Sequence, residues 1–414
     1  MSVQRYVFFI KNKILLRNIF VIFAVLNPSF MDSPFIYYKY VTGKNFVGRR
    51  KDVTIISNFL SQGENVALIA PAKSGKMSLL QQALYQMKML HRNYVVAEVS
   101  LLDVRTVQEF LLRLGDAVIR TCANTPGEYT RAVEDHLQGT HFVFDQAVFA
   151  DSDRIVSLNW DIDRDDIQAM LRLPYKMTAG GERQLYIVLK EFQNLSFAPD
   201  SDAFFKIFES VLSESGNYGR KQCCFVFMGS QLNAMKEIFT ERRFFYRLVE
   251  VFVPSEIDEK ELKDFVSKGF MVTGKVVDPE LMLGACRLFK GNVHYLIHFA
   301  AICDHLSRGY IMESVMLDAL EMLISIHEPR FLGMMADLTT FQVSLLKAVA
   351  EGCTRFSSAE VVRRYALSSS ANVKRLKDAL IKKEIVTFDQ EDNPHIIDPL
   401  FEYWVKKRYF RLVG

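Results

Sequence analysis

The apolar positions of this chain keep two different rhythms. At residues 66–69, 94–99, 184–189 and 223–228 they form short, nearly unbroken or β-branched runs, the pattern of strands buried on both faces. Between these runs, residues 51–60, 76–84 and 107–120 carry apolar side chains at three- and four-residue spacing, which predicts helices covering a sheet. Strand then helix, repeated, is the grammar of an α/β fold: a parallel sheet with helices on both faces. From residue 255 the pattern turns helical throughout, over 258–268, 279–289, 293–306 and 311–326. Gly291 and Gly309 mark turns there, and no strand-like alternation is visible. The chain closes with helices over 339–351, 358–365 and 370–383, then alternating runs at 385–388 and 395–397 around the turn Glu391-Asp392-Asn393-Pro394. Three helices and a hairpin predict a winged helix-turn-helix. Residues 125–166 fit neither rhythm; they are acidic, their helical spacing breaks repeatedly, and a peripheral insertion is expected.

One junction carries chemistry. After the run at 66–69 comes a turn-prone stretch, 70–75, and Lys76 then opens a helical pattern with Leu79, Leu80, Ala83 and Leu84 on one face. Strand, glycine turn, lysine and helix form a phosphate-binding P-loop: successive amides point inward, the helix N-terminus adds partial positive charge, and a lysine reaches the outer phosphates. Of the pattern G-x-x-x-x-G-K-[ST], Gly75 and Lys76 are present, while Ala70 replaces the first glycine and Met77 the magnesium-binding hydroxyl. Ser78 lies about 100° further around the helix and is no ready substitute. The candidate cradle is therefore Ala70, Lys73, Ser74, Gly75, Lys76, Met77 and Ser78.

The ends of the later strands bear on catalysis. A nucleotide hydrolase places an aspartate after such a strand to hold magnesium, with a glutamate beside it as base. Here the run at 184–189 ends in Lys190-Glu191, a cation where the metal-holding carboxylate should stand. Ser230 follows the run at 223–228, at the carboxyl end of a central strand, where ligands meet such sheets. Next comes Arg242-Arg243-Phe244-Phe245-Tyr246-Arg247, either a phosphate contact through Arg247 or a solvated turn with a core-packing aromatic stripe. The acidic residues Asp145, Asp151, Asp153, Asp161, Asp163, Asp165 and Asp166 lack the spacing of a calcium loop and read as a solvated face.

At 414 residues the chain has room for two or three domains, and a net charge of +3 is too small to argue for nucleic acid or an anionic membrane. Its six cysteines include no C-x-x-C pair, so reduced thiols and a cytoplasmic setting are expected. Residues 1–30 are basic and apolar, with no acid, no stretch long enough to span a bilayer and no good cleavage site. They read either as a membrane-surface anchor or as a mis-assigned start, with Met31 beginning the folded part. In the winged helix, Lys374, Arg375, Lys377, Lys382 and Lys383 could neutralise DNA phosphates, but Asp378 and Glu384 are mixed among them, and a protein-contacting role is the favoured expectation.

In order along the chain, P-F-I-Y-Y-K-Y-V-T-G-K-N-F-V-G-R-R-K-D (34–52), I-A-P-A-K-S-G-K-M-S-L-L (69–80), L-P-Y-K-M (173–177), Y-I-V-L-K-E-F-Q-N-L (186–195), F-M-G-S (227–230), R-F-F-Y-R (243–247), F-K-G-N-V-H-Y-L (289–296) and I-I-D-P-L-F-E-Y-W (396–404) resemble the motifs of the archaeal-type ATPase family, a branch of the AAA+/STAND P-loop proteins. The match begins near Met31; Val293 departs from the family's lid motif by replacing a proline. The resemblance implies a P-loop core over 31–254, a helical lid over 255–335 and a winged helix over 336–414. It implies ATP between core and lid, with Phe46, Gly48 and Arg49 near the adenine, the cradle residues and Ser230 near phosphate, and Glu191 and Arg247 in the catalytic places. Met77 and Lys190 remove both magnesium-holding positions, so hydrolysis should fall by several orders of magnitude, unless Lys190 acts as a surrogate cation. Three readings follow: an ATP-binding switch signalling through the lid to the winged helix, a pseudo-ATPase scaffold whose winged helix binds protein or DNA, and an active ATPase using Glu191 with unusual metal ligation.

Overall fold

The computed structural model describes residues 33–215 and 222–412; the expectation for residues 1–30 lies outside them. In the first part of the chain the strands are β1 (Val66–Leu68), β2 (Tyr94–Ser100), β3 (Phe142–Val143), β4 (Ser157–Leu158), β5 (Gln184–Lys190), β6 (Cys223–Met228) and β7 (Glu250–Phe252). Five of them form one sheet in the order β2-β5-β6-β1-β7, every pair parallel. Alternation along each strand sorts side chains to two faces. Ala67, Leu185, Ile187, Phe225 and Phe227 join a core with the helices Val107–Cys122, Arg164–Thr178 and Ser201–Glu214. Val66, Leu68, Tyr186, Val188 and Val226 pack oppositely, against the helices Arg50–Gln62 and Lys76–Met89. The expected α/β architecture is what forms.

The insertion is more ordered than its sequence suggests. It holds the helices Pro126–His136 and Gln146–Ser152 and the β3–β4 hairpin, and its Tyr129, Val133, Phe142, Ile155 and Val156 join the main core. Several of its acids are structural. Asp145 accepts the amides of Ala147 and Val148, and Asp163 and Asp166 form a reciprocal capping box. Asp145 and Asp163 are exposed, as a solvated face requires, while Asp166 is buried and corrects that reading at its own position.

The lid contains the helices Glu259–Val272, Pro279–Leu288, Val293–Leu306 and Glu313–Ala336. Contrary to the all-helical expectation, it also has a short parallel pair, β8 (Val276–Val277) with β9 (Tyr310–Ile311). The winged helix follows as expected: helices Thr340–Ala350, Ala359–Arg364 and Ser370–Lys382, the antiparallel β10 (Val386–Phe388) and β11 (Pro394–Ile396), and an unexpected terminal helix, Pro399–Trp404. Lid and winged helix share one continuous apolar cluster running from Phe35 and Ile257 to Trp404 and Val405.

Candidate functional site

The turn after β1 takes left-handed backbone at Lys73 (φ 63°) and Gly75 (φ 84°). Glycine adopts that geometry without steric cost, and as N-cap of the Lys76–Met89 helix it leaves the first amides available to an anion. Lys76 is turned onto the loop itself: its Nζ donates to the carbonyls of Ala70 at 3.1 Å and Pro71 at 3.0 Å. Burial pulls its ammonium down to about 8, against the opposing charge of Glu191. The Ser74 hydroxyl is buried with no hydrogen-bond partner.

A cleft of about 460 Å³ opens above this turn. Lys73, Gly75, Lys76, Met77 and Ser78 line it with Lys190 and Glu191 from the end of β5, Ser230 after β6, the lid's His294, and a leading segment that includes Tyr37, Tyr38, Tyr40, Val41 and Asn45. Glu191 is already engaged: its carboxylate accepts the Ser230 backbone amide at 3.1 Å, the Ser230 hydroxyl at 2.5 Å and the Gln193 side-chain Nε2 at 2.8 Å. Lys190 pairs with Glu98 on β2. The Ser78 hydroxyl accepts the Val41 amide at 3.2 Å.

Not every sequence candidate reaches the cleft. Phe46 packs against the apolar layer beneath the sheet, and Ala70 acts through its carbonyl on Lys76. Gly48 and Arg49 form a joint between core and lid. Arg49 donates to the Ser74 carbonyl and, from the other side of its guanidinium, to the Ser255 carbonyl, both at 2.7 Å. Asp52 accepts the Ser255 amide at 2.8 Å. At Gly48 (φ 67°) a Cβ would stand 2.5 Å from Ile257. Arg247 is exposed and stacks on Tyr246, away from the cleft, while the neighbouring Phe244 and Phe245 are buried in the core.

The donor set fits a nucleotide's phosphates: free helix amides, an orphaned hydroxyl and two lysines. It does not fit magnesium. Met77 offers no oxygen, Ser78 is turned to Val41, Lys190 is cationic, and Glu191 is held by Ser230.

Sequence reasoning missed the groups that join the cleft to the rest of the molecule. Lys73 Nζ donates to the Tyr295 hydroxyl of the lid at 3.4 Å and lies 4.7 Å over its ring. Burial, then the Arg330 charge, bring Lys73 down to about 8. Tyr295 donates on to Asp398 at 2.8 Å and accepts from Arg330 at 3.0 Å. Asp398 also pairs with Arg330 and caps the Pro399–Trp404 helix through the Leu400 and Phe401 amides at 3.0 and 3.1 Å. Burial works to raise the Asp398 carboxyl, but Arg330's charge and the hydrogen bonds outweigh it and keep it below the ordinary range. An Asp-Pro pair opening an apolar run was the visible signal for that cap. A second contact lies beyond Ser230: Glu384 of the winged helix accepts the Asn233 and Ala234 amides at 3.0 and 2.8 Å, and the Asn233 side chain donates to the carbonyls of Ile381 and Val386, both at 2.9 Å. On the winged helix's presumed recognition helix, Lys377 is tied to Asp392 at 2.7 Å, while Lys374, Arg375, Lys382 and Lys383 are exposed.

The family described as a probable winged helix domain matches residues 329–407. No curated protein sequence matches the chain. Among solved structures, the chain is similar to the Walker-type ATPase of Pyrococcus abyssi, at 14% identity and a TM-score of 0.61 over 90% of this chain and 99% of that one. It is also similar to the ORC2 protein of Aeropyrum pernix in ADPNP–ADP complexes, at 12% identity and a TM-score of 0.50 over 86% and 93%. The chain thus has the fold of the archaeal Walker-type P-loop ATPases, closed by a winged helix domain. Among the described residues, no helix is long and apolar enough to cross a membrane.

Proposed function

We propose that this protein is an AAA+/STAND-like switch that binds ATP in the cleft, turns it over slowly or not at all, and relays the nucleotide state through the lid to the winged helix. The observation that carries this reading is the chain Lys73–Tyr295–Asp398. One P-loop lysine contacts the lid, and the lid tyrosine contacts the residue that caps the last helix. Phosphate arriving at the loop competes for Lys73 and draws it from Tyr295. Lys76 leaves the Ala70 and Pro71 carbonyls for the outer phosphates, and the Gly75–Ser78 amides hold the anion. Without a magnesium ligand at position 77 or 190, the charge that develops on the transferring phosphoryl group is unneutralised and turnover is suppressed.

Calorimetric titration of ATP, with and without magnesium, tests the reading on wild type and Lys76→Ala. Binding in wild type, little changed by magnesium and lost in Lys76→Ala, is the expected result. Brisk magnesium-dependent hydrolysis would sink the proposed suppression and restore Glu191 as a working base.

A second reading has its own support. Lys76 is engaged by carbonyls, Glu191 by Ser230 and Lys190 by Glu98, so these three charged groups are already paired within the protein, as in a scaffold that takes no nucleotide. In that case the exposed Lys374, Arg375, Lys382 and Lys383 serve a protein partner or DNA. Absence of ATP binding under both conditions selects this reading, and a salt-dependent DNA shift lost on charge reversal of Lys374 and Arg375 selects DNA over protein.

A further inference from the structure

We propose that His294, His298 and His327 form a site for one divalent transition-metal cation of the zinc class, set between two lid helices and the leading segment. His294 and His298 are four residues apart on the Val293–Leu306 helix and so share a face. His327 comes from the Glu313–Ala336 helix. One ligand nitrogen from each lies within 4.8 Å of the other two.

The decisive observation is what two of these imidazoles lack. His298 Nδ1 and His327 Nε2 are buried without any hydrogen-bond partner, and His298 is only 7% exposed. Buried polar atoms are nearly always paired, so two orphans in one three-imidazole cluster point to a missing ligand. The rings are also held as metal ligands are. His294 bonds the Tyr37 backbone, the kind of outer contact that fixes a ligating imidazole's tautomer. His298 is stacked flat on the Tyr37 ring, 3.9 Å between centroids and 7° between planes.

Burial, the largest influence on each, lowers the three imidazoles to about 4, 4 and 3. Three imidazoles suit zinc, copper or nickel rather than magnesium or calcium. Bonds of about 2.1 Å require the rings to close by roughly an ångström, a matter of side-chain rotation, and leave a position for water on the cleft side, which His294 lines. The neighbouring charges are Lys73 and Arg330, which oppose a cation, and Asp398, which favours it. The other such cluster among the described residues, His141–Asp163–Asp166, is different. Asp166 there accepts the His141 amide, the His141 ring and the Asp163 amide, so its oxygens are spent on a helix cap.

The proposal does not rest on nucleotide binding and is tested without nucleotide. Zn2+ is titrated into metal-stripped full-length protein against a chromophoric chelator. Wild type should take up one equivalent tightly, and His294→Gln and His327→Gln should weaken it by more than the roughly 10–100-fold that outer contacts cost. Lys73→Met, which removes an opposing charge, should tighten it. Should the histidine variants fail to fold, X-ray absorption on the zinc-loaded wild type reads the same question, with an imidazole-dominated shell expected. Uptake no greater than in a variant lacking all three histidines overturns the proposal, as does a sulfur or all-carboxylate shell.

Discussion

Asn65 lies 8% exposed just before β1, where its Oδ1 accepts the Phe225 amide at 2.9 Å and its Nδ2 donates to the Leu248 carbonyl at 3.0 Å. One amide side chain thus pins β1 between its two neighbours. Asn65→Ala leaves a buried N–H unpaired and should cost about 1–3 kcal/mol, read as a lower urea midpoint. Lys76 supplies a pH prediction. Its folded-state value, about 8, lies below the ordinary 10.5, so between those values the unfolded chain binds more protons and stability rises with pH. Unfolding midpoints should climb from pH 8 toward 10.5 in wild type and climb less in Lys76→Met. Phosphate would raise the lysine again, so ATP binding near pH 8.5 should take up protons, seen as buffer-dependent binding heat. At this scale the sequence exposed Gly75, Lys76 and Glu191, because strand, turn and helix are local patterns. It hid Lys73's contact with Tyr295 and, through it, the link to Asp398, partners more than two hundred residues away that leave no local trace. Nor does anything in F-V-G-R announce that Gly48 packs on Ile257 or that Arg49 bridges Ser74 and Ser255.

Secondary elements were legible where a rhythm was long. β5, β6 and the Val107–Cys122 helix fall within a residue or two of their expected bounds. The insertion was not legible, because its helices are short and the acids that punctuate them act as caps rather than as breaks. Asp166 joins cap and hairpin by accepting the His141 and Asp163 amides at 2.9 and 2.8 Å. Asp166→Ala should cost about 1–3 kcal/mol and raise hydrogen exchange in β3 and β4. Glu384 tests the contact between elements. Its carboxylate is raised by burial and lowered by the amides it accepts, and the first effect wins. Glu384→Ala should leave the sheet's exchange protection intact while loosening residues 381–388.

Across the whole molecule, the lid and winged helix share one core although the sequence separates them at residue 336. Phe331 of the lid packs on Phe401 and Trp404 of the winged helix, with ring centroids 5.5 and 5.6 Å apart. Truncation after Ala336 should therefore destabilise the lid as well, seen in calorimetry as loss of a shared transition rather than of a separate one.

Among the contacts by which that shared core joins the sheet are the Arg49–Ser255 joint, the Lys73–Tyr295 contact and the clasp of Asn233 on Glu384. A body fastened at both ends is a closed linkage, not a free arm. It cannot swing about the first joint while the clasp holds, so widening of the cleft and release of the clasp become one event. On the switch reading proposed above, a partner that pulled the winged helix from Asn233 would free the cleft to exchange its contents, and one that held it there would slow that exchange.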